Sequence, residues 1–320
     1  MTNGAPEREV LPEGGGDEGL YGLTTALVRA VRDALRRDDQ QHLRNLISPL
    51  HAADMADLIE RVRGDERHHL VDLAGEAVSG EVLAFIEDDV REAIISQLDS
   101  RKVAEAISDL DTDDVVAVLE DLDPPQQREI IEALADPADR AGVSESLTYP
   151  ENSAGRLMQR DVISLPAFWT VGQTIDFMRE SEDLPDDFYE IFVVNPRQEP
   201  IGTVRLSRLL RTQRPGRLRE IMEQKLHVIP ANTDQEEVGY LFDQYDLISA
   251  PVVGASGRLI GMITVDDVLD VVQEEAEEDI LRLSGVQEPD IYRAALQTAG
   301  GRFIWLLVNL ATAILASFVI

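Results

Sequence analysis

Between Thr264 and Leu281 the sequence TVDDVLDVVQEEAEEDIL carries eight carboxylates and no basic side chain. Asp267, Asp270, Glu274 and Glu278 fall at steps of three and four, so a helix puts them on one face. Glu275 and Asp279 form a second pair four residues apart. Like charges at that spacing destabilise a helix by roughly 0.2–0.5 kcal/mol per pair, and no Lys or Arg offsets them. Either water solvates the face or divalent cations sit on it. A hard cation such as Mg²⁺ takes carboxylate oxygens and keeps several waters, which suits an open carboxylate cluster better than a closed cage. A second acidic set is Asp234, Glu236, Glu237, Asp243 and Asp246. Further upstream, acids recur at expected helix starts: Asp88, Asp89, Asp99, Asp111, Asp113, Asp114, Asp121 and Asp123. There, capping and the helix dipole account for them as readily as a cation does.

The 320 residues hold 61 acidic against 29 basic side chains, a net charge of −32. That balance excludes nucleic acid as a partner, which needs a basic surface, and it opposes anionic lipid. Haloadaptation is the bland explanation, and the rarity of Lys (only Lys102 and Lys225) fits it, but it does not account for the concentration at 264–281. With no cysteine, disulfides, thiolate metal sites and thiol catalysis are excluded. His42, His51, His68, His69 and His227 do not form a zinc pattern. No Gly-x-Ser-x-Gly, P-loop or nucleophile–base pairing appears, so the chain does not read as an enzyme.

The elements that must position these carboxylates are legible in order. Residues 1–20 are rich in Gly, Pro and charge and read as a disordered tail. Over 21–148, Val62, Ala74, Ile86, Leu98, Leu110, Leu122 and Leu134 recur every twelve residues. Start signals follow several of them: Asp99-Ser100, Asp111-Thr112 and Asp123-Pro124. Each unit predicts one short helix and a turn, and such helices are stable only when stacked into a superhelical repeat domain. Residues 150–272 contain an internal duplication, with boundaries at 150–214 and 215–272. Met158 matches Met222, Pro166 matches Pro230, Val193-Val194 matches Val252-Val253, and Gly202 matches Gly261. Each copy predicts strand, helix, strand, turn, strand, helix. An acidic connecting region, 273–300, leads to FIWLLVNLATAILASFVI at 303–320, which has no charge. Roughly 20 apolar residues span a bilayer core, so 302–320 is expected to be a transmembrane helix. Arg293 and Arg302 flank its N-terminal side, which places residues 1–300 in the cytoplasm. A lone span cannot line a pore, so a transporter would have its conducting part outside these residues.

The duplicated unit resembles a pair of CBS domains, through the Met before the first strand, the PVV strand, and Gly261, Thr264 and Asp267 of the last motif. The resemblance implies an adenosine ribose site at Thr264 and Asp267, and hence ATP as a cofactor. In the first copy Arg205 and Arg208 stand at those positions, which argues against strong nucleotide binding. The whole order of parts resembles the cytosolic half of the MgtE-type magnesium channel and transporter family. The carrying motifs are Tyr149-Pro-Glu-Asn-Ser-Ala-Gly-Arg-Leu-Met158, Thr233-Asp-Gln-Glu-Glu-Val238, Thr264-Val-Asp-Asp-Val-Leu-Asp270 running into Glu278-Asp-Ile280, and the opening of the apolar run. That family implies a cell-membrane homodimer joined through its CBS domains, with Mg²⁺ as sensed and conducted ion. Bound Mg²⁺ bridges the helical domain, the CBS pair and the connecting "plug" helix, and closes the pore. Carried over by motif, the metal ligands are Asp114, Asp234, Glu236, Asp243, Asp246, Asp267, Asp270, Glu275, Glu278 and Asp279. Ala117 stands where the family often has an acid. The rival reading is a membrane-anchored CBS regulator that binds an adenine nucleotide and transports nothing.

Overall fold

The computed structural model describes residues 23–181, 184–185 and 188–283, with backbone alone for 277–279 and 281–283. The expected tail at 1–20, the span at 302–320 and the connecting region beyond Leu283 lie outside the described residues. Among the described residues no helix is long and apolar enough to cross a membrane.

The first part is all helix: α1 (Thr25–Arg36), α2 (Gln40–Ile47), α3 (Ala52–Arg61), α4 (Asp65–Ala74), α5 (Gly80–Phe85), α6 (Asp88–Ile95), α7 (Ser100–Ala106), α8 (Thr112–Leu119), α9 (Pro124–Ala133) and α10 (Pro137–Ser146). The twelve-residue register is what terminates these helices. Val62, Ile86 and Leu134 are the first residues past α3, α5 and α9, and Ala74 ends α4. Leu98, Leu110 and Leu122 close the turns after α6, α7 and α8. Each swings its side chain into the shared core, Leu98 and Leu110 partly and the rest fully. Asp99, Asp111 and Asp123 take the predicted N-cap positions, and Pro124 sits in the first turn of α9, where its missing N–H costs nothing. Alternate helices pack on one another, α3 on α5, α7 on α9 and α8 on α10. That pattern gives helices of six to twelve residues the partners that none could do without.

The second part begins with β1 (Ser164–Pro166), α11 (Val171–Glu180), β2 (Glu190–Val194), β3 (Pro200–Arg205), α12 (Leu206–Arg211) and α13 (Leu218–Ile221). It repeats as β4 (Ile229–Pro230), α14 (Gln235–Tyr245), β5 (Ser249–Val253), β6 (Leu259–Thr264) and α15 (Val265–Leu283). Two three-stranded sheets result, ordered β1-β2-β3 and β4-β5-β6. The matched residues occupy matched registers: Pro166 pairs with Val194 in parallel β1/β2, and Pro230 with Val253 in parallel β4/β5. A helical domain followed by a CBS pair is therefore the fold. The described residues form two compact units, one through Thr233 with Ser249–Ile263, the other Asp234–Ile248 with the described residues from Thr264 on.

Within the first unit the duplication is interlocked. Gln159, after Met158, bridges antiparallel to Met262 of β6, with backbone hydrogen bonds of 2.8 and 2.9 Å. Glu223, after Met222, bridges in the same way to Thr203 of β3, at 2.8 and 3.0 Å. The leading segment of each copy thus completes the sheet of the other. The two matched glycines allow it. A Cβ on Gly261 would lie 2.5 Å from the Gln159 carbonyl oxygen and 3.0 Å from Met158 Sδ. One on Gly202 would lie 2.7 Å from the Glu223 carbonyl oxygen and 3.1 Å from Met222 Sδ. Because backbone must shift to admit a methyl, Gly261→Ala and Gly202→Ala are each expected to destabilise by roughly 1–3 kcal/mol. Gly254→Ala, whose Cβ would meet only Ile260 at 3.5 Å, should cost less than about 0.5 kcal/mol. Thermal melting of the three variants checks the ranking.

Candidate functional site

The acidic helix α15 runs unbroken from Val265 through Leu283, so the end of the second CBS copy and the start of the connecting region are one helix. Asp267 closes its first turn. Its carboxylate accepts from Thr264 Oγ1 at 2.6 Å and from the Thr264 backbone N–H at 3.2 Å, the reach-back of a helix cap. The expected ribose pair is thus held together by its own hydrogen bonds. Arg205 and Arg208 sit at the corresponding strand-to-helix junction of the first copy, β3 into α12, as their sequence match requires.

Asp234, N-cap of α14, accepts from the Glu236 N–H at 3.0 Å. Asp246 ends the same helix in the left-handed region, φ 51°, which a short polar side chain tolerates. Asp234, Glu236, Asp243 and Asp246 are all exposed along α14. Between the first two, Gln235 is only 7% exposed, and its Nε2 donates to Glu275 Oε1 of α15 at 3.1 Å. That bond holds one expected ligand, Glu275, against the residue that stands between two others in sequence. Asp270 lies on an exposed stretch, yet its carboxyl titrates above the ordinary range. Local loss of water is the first cause and the Asp266 carboxylate one turn back the second. Asp114 is half-buried in the first turn of α8, and Ala117 lies one turn further along. The side chains of Glu278 and Asp279 fall outside the described residues. Among the described residues no three acidic or His side chains converge on one point that would hold a metal ion. The donors present are carboxylate oxygens, the set a hydrated hard cation takes.

A polar junction that no acidic motif announced lies where the helical domain meets the Tyr149–Met158 segment. Arg156 donates to the Leu147 and Tyr149 carbonyls at 3.1 and 3.0 Å, satisfying the C-terminus of α10, and to Glu120 Oε2 at 3.3 Å. Nearby Arg91, 7% exposed at its side chain, holds Asp88, the Ile86 carbonyl and Asp121. The only signals in sequence were the Arg inside the Tyr149–Met158 motif and the Gln between two acids at 234–236. Burial pushes the Glu120 carboxyl up to about 7 from the ordinary 4.5. Arg156 opposes the shift, Asp121 adds to it, Arg91 opposes it and Asp88 adds to it. Between those two values the native state holds the proton and the unfolded state does not, so stability falls as pH rises through the window. A third of the side chain, 33%, still meets water, which screens the effect to about 1 kcal/mol. Wild type should therefore lose about 2–4 °C more in melting temperature from pH 5 to pH 8 than Glu120→Gln does. Equal losses would sink this account of Glu120.

Comparison with known proteins follows the same order of parts. The profile of the MgtE intracellular N domain matches residues 50–152, and the CBS domain profile matches 154–214 and 218–274. A magnesium transporter MgtE of Thermus thermophilus is 31% identical over 299 residues, covering 92% of this chain and 66% of that protein. One from Enterococcus faecalis is 34% identical over 278 residues, covering 87% and 55%. The chain thus spans somewhat over half of the length of these relatives. The crystal structure of the soluble part of a magnesium transporter has the same fold, with a TM-score of 0.65 at 22% identity, covering 78% of this chain and 98% of that one. The cytosolic domain of the Mg²⁺ channel MgtE, solved in complex with ATP, aligns with a TM-score of 0.67 at 30% identity, covering 76% of this chain and 99% of that one. With an intracellular N domain and a CBS pair in succession, and a 30% identical relative that it covers almost end to end, this chain belongs to the MgtE family of magnesium transporters.

Proposed function

We propose that this chain is the Mg²⁺-sensing and gating part of an MgtE-type magnesium channel in the cell membrane, with residues 1–300 in the cytoplasm. In this reading the chain pairs with a second copy through its CBS domains, and its conducting spans follow the run at 303–320. The observation that carries the reading is α15. It adds Asp266, Asp267, Asp270, Glu274 and Glu275 to the end of the CBS pair, in a stretch with no Lys or Arg between Arg258 and Arg282. Such a helix stays under mutual repulsion unless cations neutralise it.

Gating then follows from differential binding. Without Mg²⁺ the carboxylates of the helical domain, the CBS pair and the connecting helix repel, and these parts separate. With Mg²⁺, each bridging ion turns repulsion into attraction, so the closed state binds ions more tightly than the open one. Moving the balance from 1:99 to 99:1 needs about a 10⁴-fold preference, which four weak sites supply at roughly tenfold each. A hydrated cation needs only one or two carboxylates from each part. Asp114 is the expected contribution of the helical domain. Asp234, Glu236, Asp243 and Asp246 come from α14, and Asp267, Asp270, Glu275, Glu278 and Asp279 from the helix that follows.

A second reading, nucleotide control through the CBS pair, draws on one retained feature, the Thr264 and Asp267 pair, and on the ATP complex of the relative described above. Thr264→Ala would abolish an ATP-induced rise in melting temperature if ATP binds there.

The cation reading is tested by limited proteolysis of the whole chain in detergent, with and without millimolar Mg²⁺. Wild type is expected to become resistant with Mg²⁺. Replacing Asp267, Asp270, Glu275 and Glu278 together by Asn or Gln should give resistance without Mg²⁺, despite loss of the Asp267 cap at about 1 kcal/mol. An unresponsive wild type would overturn the sensing function. A variant that still responds would overturn the ligand assignment.

A further inference from the structure

In a chain with about two acids for each base, residues 205–219 read RLSRLLRTQRPGRLR: six arginines and no carboxylate. Neither Mg²⁺ sensing nor the N-domain junction uses them. The segment covers the end of β3, α12, a turn and the start of α13, and all six arginines are exposed. It is firmly held. Leu209 and Leu218 are buried with Val171 and Val204 in the core of the first CBS copy. The Val171 and Gly172 N–H groups donate to the Gly216 and Arg214 carbonyls at 2.8 and 2.9 Å, strapping the turn to the start of α11.

Arg214 is paired with Asp176 by two hydrogen bonds, and Arg205 lies 3.9 Å from Glu223. Among the described residues Arg208, Arg211, Arg217 and Arg219 make no ion pair. Leu210, in their midst, is 71% exposed. Exposed guanidinium groups without ion pairs on a firmly held segment, together with an exposed leucine, fit a surface of phosphates with hydrocarbon behind it. Arginine's planar fork matches phosphate oxygens, and leucine enters the apolar layer.

We propose that the arginine strip of residues 205–219 docks the first CBS copy on the anionic phospholipid surface of the membrane that anchors the chain. The proposal rests on the reading of 303–320 as a membrane span. The net charge of −32 repels anions at long range, but the span does the recruiting. At contact, screening over a Debye length of about 8 Å leaves the charges nearest the surface to decide. A soluble acidic protein lacks that tether and would have to approach against the whole charge. Each arginine near an anionic leaflet strengthens contact about fivefold.

The whole chain is placed in nanodiscs of phosphatidylcholine and in nanodiscs that also contain phosphatidylglycerol, and trypsin cleavage is followed site by site. Cleavage after Arg208, Arg211 and Arg217 is expected to slow at least about fivefold in the anionic discs alone. Cleavage after Arg61 and Arg101, far along the helical domain, should stay unchanged, and high salt should remove the protection. With Arg208, Arg211 and Arg219 changed to Gln, the protection at Arg217 should vanish while Arg61 and Arg101 report an intact fold. Equal cleavage in both discs, or protection that survives in the variant, overturns the proposal. So does soluble polyglutamate protecting the strip as well as lipid does, an outcome that points to an acidic protein. If the chain fails to co-purify with phosphatidylcholine discs, the span reading fails. The strip is then read from phosphatidylglycerol-dependent co-purification of wild type but not variant, whose absence overturns it.

Discussion

The exchange of leading segments between the two CBS copies is the constraint on which the rest of the chain depends. Met158-Gln159 lies on β6 and Met222-Glu223 on β3, each so close that only a glycine fits beneath. A chain crossed over in this way cannot let one copy drift from the other without breaking two pairs of backbone hydrogen bonds. The consequence runs outward from the crossing. The first crossed segment follows directly on the Tyr149–Met158 motif, whose backbone is itself tied to the second copy. The Ala154 and Gly155 N–H groups donate to the Thr233 and Ala231 carbonyls at 2.8 Å. The helical domain is therefore joined to the strands of its unit through a segment held by backbone hydrogen bonds and not through a loose linker.

That junction holds the buried Arg91 and the largely covered Arg156. Arg91 bonds one backbone carbonyl and two carboxylates, and Arg156 two carbonyls and one carboxylate, so neither charge is left dry and unmatched. Elsewhere acids outnumber bases, and most of the ion pairs that form lie at the exposed surface. The contrast gives α15 its meaning. Where the fold needs a carboxylate held in place it supplies a guanidinium, as at Glu120 and Asp121, or a neutral donor, as Gln235 does for Glu275. It supplies neither Lys nor Arg along the first seventeen residues of α15. A counter-charge that comes and goes, as a dissolved cation does, is the arrangement consistent with regulation by that cation.

Much of this was legible in the sequence, and for a physical reason in each instance. The twelve-residue register was visible because an apolar residue closes each helix from α3 to α9, so apolar side chains recur at one spacing. The duplication was visible through Met158, Met222, Gly202 and Gly261, since close approach tolerates only glycine and a flexible apolar neighbour. What the matches did not reveal is that each Met meets the Gly of the other copy, because similarity along a chain carries no information about which repeat closes which sheet. Glu120 was missed for a related reason. Its environment comes from Arg156 and Arg91, 36 and 29 residues away, and a lone Glu before Asp121 looks like any other surface acid. Gln235 was hidden by its neighbours, since a polar residue flanked by acids reads as solvated until its burial is seen.

The two copies also show how one scaffold diverges in charge. The strand-to-helix junction holds Arg205 and Arg208 in the first copy and Thr264 and Asp267 in the second, at the same positions. From there the first copy continues into a strip of arginines and the second into a run of acids. Neither departure disturbs the core, because the residues that the sheets require, Ile191, Val193 and Val204 in one and Ala250, Val252 and Ile263 in the other, lie on the strands and stay apolar. The junction is thus free to change its electrostatics at little cost in stability, and duplication lets it change in opposite directions. A duplicated fold whose sheets keep the same apolar strands can thus carry an arginine-rich segment after β3 and an acidic helix after β6.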